Sequence, residues 1–273
     1  MTASPPASRP ASRPARIWGL VAAQAASHGG RVSAADACAA AVAAVKVTGA
    51  WLVAADGGQT GHLMRVTDEV GELLAELQLT LGEGPGPDAA TSGGPVLASD
   101  LSELEAFSRW PAFAPAARQA GAAAIFVFPL QLGAIRTGVM GLYRGQAGPL
   151  STFQLGDALV FADTATLLLL EAQDQQDQQD HQHQQHQAAD DAAVGIGAGP
   201  GGQPAELTLH RAEIDQATGM LTEQLGVGIA EAFIRLRAYA YARDRRLSDL
   251  ARDIVARRLR LRPDPDPRQD GQT

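Results

Sequence analysis

The sequence predicts an α+β domain followed by a small all-α bundle of three helices, and three observations predict it. The hydrophobic period switches from helical to alternating and back between residues 17 and 171. A run rich in Gln, His and Asp, followed by a Gly-rich stretch, interrupts the pattern between 172 and 204. Beyond it, residues 206–262 repeat apolar positions at steps of three and four on three short segments studded with arginine. At 273 residues the chain is long enough for two modest domains, each with its own core.

Element by element, Met1–Arg16 is Pro-, Ser- and Arg-rich and is expected to be a disordered arm, because it cannot bury enough surface to offset its ordering entropy. Ile17–Val45 is Ala-rich at helical spacing and broken by His28-Gly29-Gly30, which predicts two helices, the second capped by Ser33. Val47–Ala54 and Gly61–Val66 alternate about the turn Asp56-Gly57-Gly58 and predict a hairpin. A short helix is expected over Asp68–Leu77, and Leu81–Asp88 is too rich in Gly and Pro for a regular element. Pro95–Ser99 reads as a short strand and Arg109–Gln119 as a helix opened by Trp110-Pro111. Ala123–Leu132 and Gly138–Tyr143 then form a second pair of strands across Gly133–Thr137. Phe153–Leu170 closes the domain as a helix whose buried side carries Leu155, Leu159, Ala162, Ala165, Leu168 and Leu169. The sum is a sheet flanked by helices. The Gln-rich run Gln173–Gln187 can extend that last helix, whereas Val194–Gln203 cannot.

Composition narrows the function. Hydrophobic residues are 45 % and charged residues 19 % of the chain, ordinary values for a folded soluble protein. The net charge of −8 conceals opposed halves: residues 17–205 hold 7 basic against 19 acidic side chains, while 206–262 hold 11 arginines against 8 acids. A nucleic-acid partner therefore belongs to the C-terminal module. Lys46 is the sole lysine, a bias that a GC-rich genome explains and that weakens arginine as a phosphate signal. Cys38 is the single cysteine, which excludes an intrachain disulfide and a Cys-based zinc cluster and fits a reducing cytosol. No secretory h-region and no uninterrupted membrane-length apolar run is seen, so a cytoplasmic protein without membrane contact is expected. His181, His183 and His186 lie in low-complexity sequence and read as spacer, not as metal ligands. No P-loop, HExxH or G-x-S-x-G occurs, and no nucleophile can be matched to a base, so no enzyme activity, cofactor or metal is expected.

In the C-terminal block Ile214, Ala217, Met220, Leu221 and Leu225 form the first stripe, and Gly226-Val227-Gly228 stops it. Ile229, Ala232, Phe233, Leu236 and Ala240 form the second, and Leu247, Leu250, Ala251, Ile254, Val255 and Leu259 the third. The other faces carry the arginines. Their planar forks suit phosphate and base stacking, and by pattern alone a solvated face with ion pairs is an equal reading. A helix-turn-helix DNA reader, in which Arg252 and Arg257 contact bases, and a bundle that only dimerises also remain open.

Three segments of this block, Glu213–Leu221, Glu231–Arg237 and Arg245–Val255, resemble in order and spacing the ANTAR domain, a family that binds hairpin loops in nascent RNA and prevents transcription termination. One position departs from the family, whose usual Ala-Lys-Gly appears as Ala217-Thr218-Gly219. The resemblance implies a homodimer that presents two basic surfaces to two RNA hairpins; the expected RNA contacts are Arg211, Arg237, Arg245 and Arg246, with Thr218 at the altered position, and the expected core is Ile214, Ala217, Phe233, Leu236 and Leu250. The acidic domain, through Ala55-Asp56-Gly57-Gly58, Leu81-Gly82-Glu83-Gly84-Pro85, Pro95–Leu101 and Gly138–Tyr143, resembles GAF domains, with Gly86 where relatives often carry Cys. That implies a sensor of a small molecule or a protein signal, for which Trp51, Phe126, Phe128 and Tyr143 are candidate pocket residues. The expected organisation is an arm over 1–16, a GAF-like domain over 17–171, a linker or helix extension over 172–204, an ANTAR-like domain over 205–262 and a tail over 263–273.

Overall fold

The computed structural model describes residues 12–56, 59–190, 205–243 and 245–261, with the backbone alone at 56, 59–62, 176–190 and 205–211. The expected arm (through residue 11), the Gly-rich part of the linker, the C-terminal tail, the hairpin turn at Gly57-Gly58 and the side chains of His181, His183 and His186 lie outside the described residues.

Five antiparallel strands form one sheet in the order β2-β1-β5-β4-β3, from β1 (Gly49–Asp56), β2 (Gln59–Val66), β3 (Val96–Ala98), β4 (Ala124–Leu132) and β5 (Ile135–Arg144). Alternation along each strand sends side chains to opposite faces. On one face Ala50, Leu52, Phe126, Phe128, Met140 and Leu142 meet α1 (Arg13–Ser27), α2 (Ala34–Val45) and α7 (Thr152–Asp190). On the other, Trp51, Ile125, Val127, Val139 and Tyr143 meet α3 (Glu69–Leu81), α4 (Pro85–Ser92), α5 (Leu104–Arg109) and α6 (Phe113–Gln119). Trp51 faces Gly141 across the β1–β5 ladder, and its indole occupies the space that a side chain at 141 would need. The α+β class read from the sequence is the class observed.

Caps and buried charges fix the helices. Ser12 Oγ accepts from Ala15 N at 3.4 Å at the start of α1. At α2, Asp36 accepts from Ser33 N at 2.9 Å, and His28 Nε2 lies 2.7 Å from its other oxygen. Burial alone would raise the Asp36 carboxyl, yet the hydrogen bonds from His28 and Ser33 hold it below the ordinary carboxylate value. Asp157 of α7 is fully buried and pairs with Arg16 at 2.5 Å and Arg13 at 3.1 Å, which ties α1 to α7 and makes Arg13–Arg16, expected in the disordered arm, the ordered first turn of α1. Cys38 is fully buried, and desolvation pushes its thiol up to about 12.

Several boundaries differ from expectation for local reasons. The Gly/Pro-rich stretch forms a helix, α4, because Pro85 and Pro87 fall in its first turn, where an amide has no intrahelical acceptor. The expected helix over Arg109–Gln119 is instead the end of α5 and then α6, since Pro111 forces Trp110 out of helical geometry (φ −134°, ψ 71°). Helix α3 runs on to Leu81 and ends at Gly82, which takes the left-handed φ of 69°. Helix α7 continues through the Gln-rich run for 39 residues in all, and Leu159, expected to be buried, is 40 % exposed. Thr152–Gln175 of α7 is long and apolar enough to cross a membrane by length and composition, contrary to the sequence reading, but half of it is buried in the protein. The Gly82–Asp88 stretch acts as a clasp. Glu83 accepts from the amides of Ala112 and Phe113 at 2.7 Å each, and Asp88 accepts from Arg109 Nε at 2.6 Å and Trp110 Nε1 at 3.0 Å.

Candidate nucleic-acid interface

The arginine-bearing segments fold as α8 (Ala205–Leu225), α9 (Ile229–Ala242) and α10 (Leu247–Val255). Gly226, at φ 66°, lets the chain leave α8, and Gly228 caps α9. Ala217, Leu221, Ala232, Leu236, Ala240, Leu247, Leu250, Ala251 and Ile254 are all fully buried in one cluster. Ile214 and Phe233, expected in this core, are partly buried against it. None of the three helices buries enough surface to stand alone, so the bundle positions the arginines as a unit.

The bundle is docked on the α+β domain. Helix α3 touches α9 and α10, α8 touches β2, and Leu79 of α3 packs against the bundle's core. Polar contacts cross this junction at two helix ends. Glu76 Oε1 accepts from Ser248 N at 3.2 Å and Ser248 Oγ at 2.6 Å, at the N-terminus of α10. Arg237 Nε donates to Thr80 O at 3.0 Å, at the C-terminus of α3. Each helix end thereby receives the charge its dipole favours. Beside Arg237, a groove of about 300 Å³ opens between Thr80 and Leu81 on one side and Ile234 and Tyr241 on the other.

The expected RNA contacts fall in different environments. Arg237 is partly buried, sits 5.8 Å from the Phe233 ring, and burial lowers its guanidinium pKa. Arg246 Nε lies 3.7 Å from Glu76 Oε2 with half its side chain exposed. Arg245 pairs with Asp253 at 2.7 Å. Arg258 meets the other oxygen of the same carboxylate at 2.8 Å, and the hydrogen bonds from both arginines hold Asp253 below the usual carboxylate range. Asp253 thus gathers the α9–α10 turn and the segment after α10 into one cationic cluster. Thr218 is only 5 % exposed and its hydroxyl donates to Ile214 O at 2.7 Å, so it does not present itself to a partner as placed. The Arg211 side chain lies outside the described residues.

Other arginines are more open. Arg243 stacks on Tyr239 at 4.6 Å, and Arg257 and Arg260 are exposed with no acidic partner among the described residues. Arg252 is held by Glu213 at 3.3 Å and Asp249 at 3.2 Å. The four residues named as a sensor pocket do not meet. Phe126 and Phe128 belong to the cluster under α1, α2 and α7, whereas Trp51 and Tyr143 belong to the opposite one, because the strand period of two separates them. Glu76 and Ser248 are the polar residues that the sequence reading missed as partners. No local pattern joins them, since they lie 172 positions apart.

The ANTAR domain model matches residues 208–255, which span most of α8 and all of α9 and α10. No curated protein matches the chain. Among solved structures, the chain is similar to the GAF domain from Acinetobacter phosphoenolpyruvate-protein phosphotransferase, at 15 % identity over 59 % of this chain and 98 % of that one, with a TM-score of 0.45. It is also similar to the GAF domain of the corresponding protein of Coxiella burnetii, at 12 % identity over 60 % and 98 % with a TM-score of 0.45. For the GAF-B domain of DevS from Mycobacterium smegmatis the values are 19 %, 52 %, 93 % and 0.39. Identities and scores this low assign no activity. Residues 208–255 of this chain are an ANTAR domain, carried behind an α+β domain that is similar to GAF domains.

Proposed function

We propose that the protein is a non-catalytic regulator that binds hairpins in nascent RNA through its ANTAR domain and thereby prevents transcription termination. The observation that carries this reading is the match of the ANTAR model to the three helices, on the last of which Asp253 gathers Arg245 and Arg258 from the flanking segments into one cluster. Phosphate is the chemistry this cluster suits, because a guanidinium offers paired donors in one plane and keeps its charge at any working pH. Arg243, Arg245, Arg246, Arg257, Arg258 and Arg260 supply that surface, and the solvent-exposed ones need no rearrangement to meet a strand. The α+β domain acts as the sensor of a small-molecule or protein signal, and the working form is a homodimer free in the cytoplasm, in which two bundles dock on two hairpins and gain avidity.

The test is a titration of the full chain with an RNA carrying two tandem hairpins, followed by fluorescence anisotropy at several salt concentrations. Binding should weaken as salt rises, and replacing both Arg245 and Arg246 by Ala should lower affinity and reduce the salt slope by about one per lost phosphate contact. Tight binding to duplex DNA with none to the RNA would overturn the reading. Affinity that survives the double replacement would remove those two arginines from the interface.

A further inference from the structure

We infer that Glu76 is an internal latch: its carboxylate occupies the N-terminal turn of α10, where an RNA phosphate would sit, and must leave before the ANTAR domain binds at full strength. The inference rests on the proposed RNA-binding function and names how that site is regulated. Its support is the geometry of the domain junction. Oε1 of the carboxylate accepts from both the backbone amide and the hydroxyl of Ser248, and Oε2 lies at ion-pair distance, 3.7 Å, from the Arg246 guanidinium; two donors and a cation so placed suit the oxygens of a phosphate equally well.

A second contact, independent of the first, closes the same junction. Arg237, an expected RNA contact, donates into the C-terminal turn of α3 at Thr80 and lies against Gly82, where even a methyl group would collide with its guanidinium. Leu79, on the same outer stripe of α3 as Glu76 and Thr80, adds an apolar contact with the bundle. One helix of the sensor domain therefore holds Arg237, Arg246 and Ser248 at once. The charges of the two regions favour this docking, since residues 17–205 carry 19 acids against 7 bases and residues 206–262 carry 11 arginines against 8 acids. Helix α3 also packs its other side, through Leu74 and Ala75, into the core beneath Trp51. A change in that core has a direct mechanical route to Glu76. In a closed-to-open equilibrium the apparent RNA affinity is the intrinsic one reduced by the open fraction, so weakening the latch raises affinity without adding any RNA contact.

The experiment compares the full-length wild type with Glu76→Ala, and uses Glu76→Gln, which keeps the acceptor and loses the charge, as the intermediate case. Amide hydrogen exchange at Ser248 reads the latch without RNA, and anisotropy with the tandem-hairpin RNA reads its consequence. Exchange at Ser248 should quicken in E76A, and RNA affinity should rise about tenfold, with E76Q between the two. Unchanged exchange, or faster exchange with equal RNA affinity in all three proteins, overturns the latch and leaves the RNA reading standing. Absence of RNA binding in every protein overturns the RNA reading itself, and the latch with it. Tryptophan fluorescence and a urea titration establish that each variant is folded; should E76A fail that check, E76Q alone decides by the same two measurements.

Discussion

Replacing Gly141 by Ala tests the packing that supports α3. Residues 51 and 141 are directly opposed on β1 and β5, and a Cβ built at 141 falls 2.1 Å from Cε2 and 2.2 Å from Cζ2 of Trp51. The indole is fully buried, so relief to an ordinary contact of about 3.4 Å demands a ring shift of more than 1 Å within a close-packed layer. Overpacking of that kind costs roughly 1–3 kcal/mol. Removing a strand glycine gives back roughly 0.5–1 kcal/mol by restricting the unfolded chain. The expected net loss is about 1–2 kcal/mol. Because Trp18, Trp51 and Trp110 all lie in the α+β domain, their fluorescence during urea unfolding reports on that domain. The G141A midpoint should fall with an unchanged slope, and Trp51→Leu should cost less in the G141A background than alone, since the two changes share one space. A G141A protein as stable as the wild type, or strictly additive effects in the pair, would refute the proposed close contact.

Two further predictions concern the face packed under α1, α2 and α7. Asp36→Asn should destabilise the protein at neutral pH. A carboxyl whose folded pKa lies below its unfolded value near 3.8 contributes stability above that value and loses it as pH falls through the lower folded one, so the wild-type advantage in a thermal melt should shrink only under such acid conditions. Cys38, with its thiol raised to about 12 and no exposed surface, should resist a thiol-reactive dye in the native state and react only as fast as the protein opens. Prompt labelling at neutral pH would show that the core cluster around α2 does not seal the thiol.

The elements that were legible in the sequence are those whose own residues set their period. The stripes of α8, α9 and α10 read out directly, as did the two hairpin-like strand pairs and the start of α2 at Ser33. Two of the differences from expectation show what a local reading leaves open. Pro85 and Pro87 look like breakers in composition but are tolerated in a first turn, so α4 depended on where the helix began. The candidate pocket residues Trp51, Phe126, Phe128 and Tyr143 share an aromatic chemistry, but the pleat of the strands puts Phe126 and Phe128 on one face and Trp51 and Tyr143 on the other.

The arginines illustrate the same division at the site. Their number, their sign against the acidic domain and the order of the ANTAR motifs are properties of the chain and need no fold to be seen. Which of them are engaged is another matter: Arg237 at Thr80, Arg246 at Glu76, and Arg245 with Arg258 on Asp253 are pairings across as many as 170 positions. Helical and strand periods arise from local backbone geometry and are written in neighbouring residues, so the sequence carries them openly. The contact between α3 and the ends of α9 and α10 arises where two separately formed surfaces meet, and only tertiary packing determines which charges then face one another.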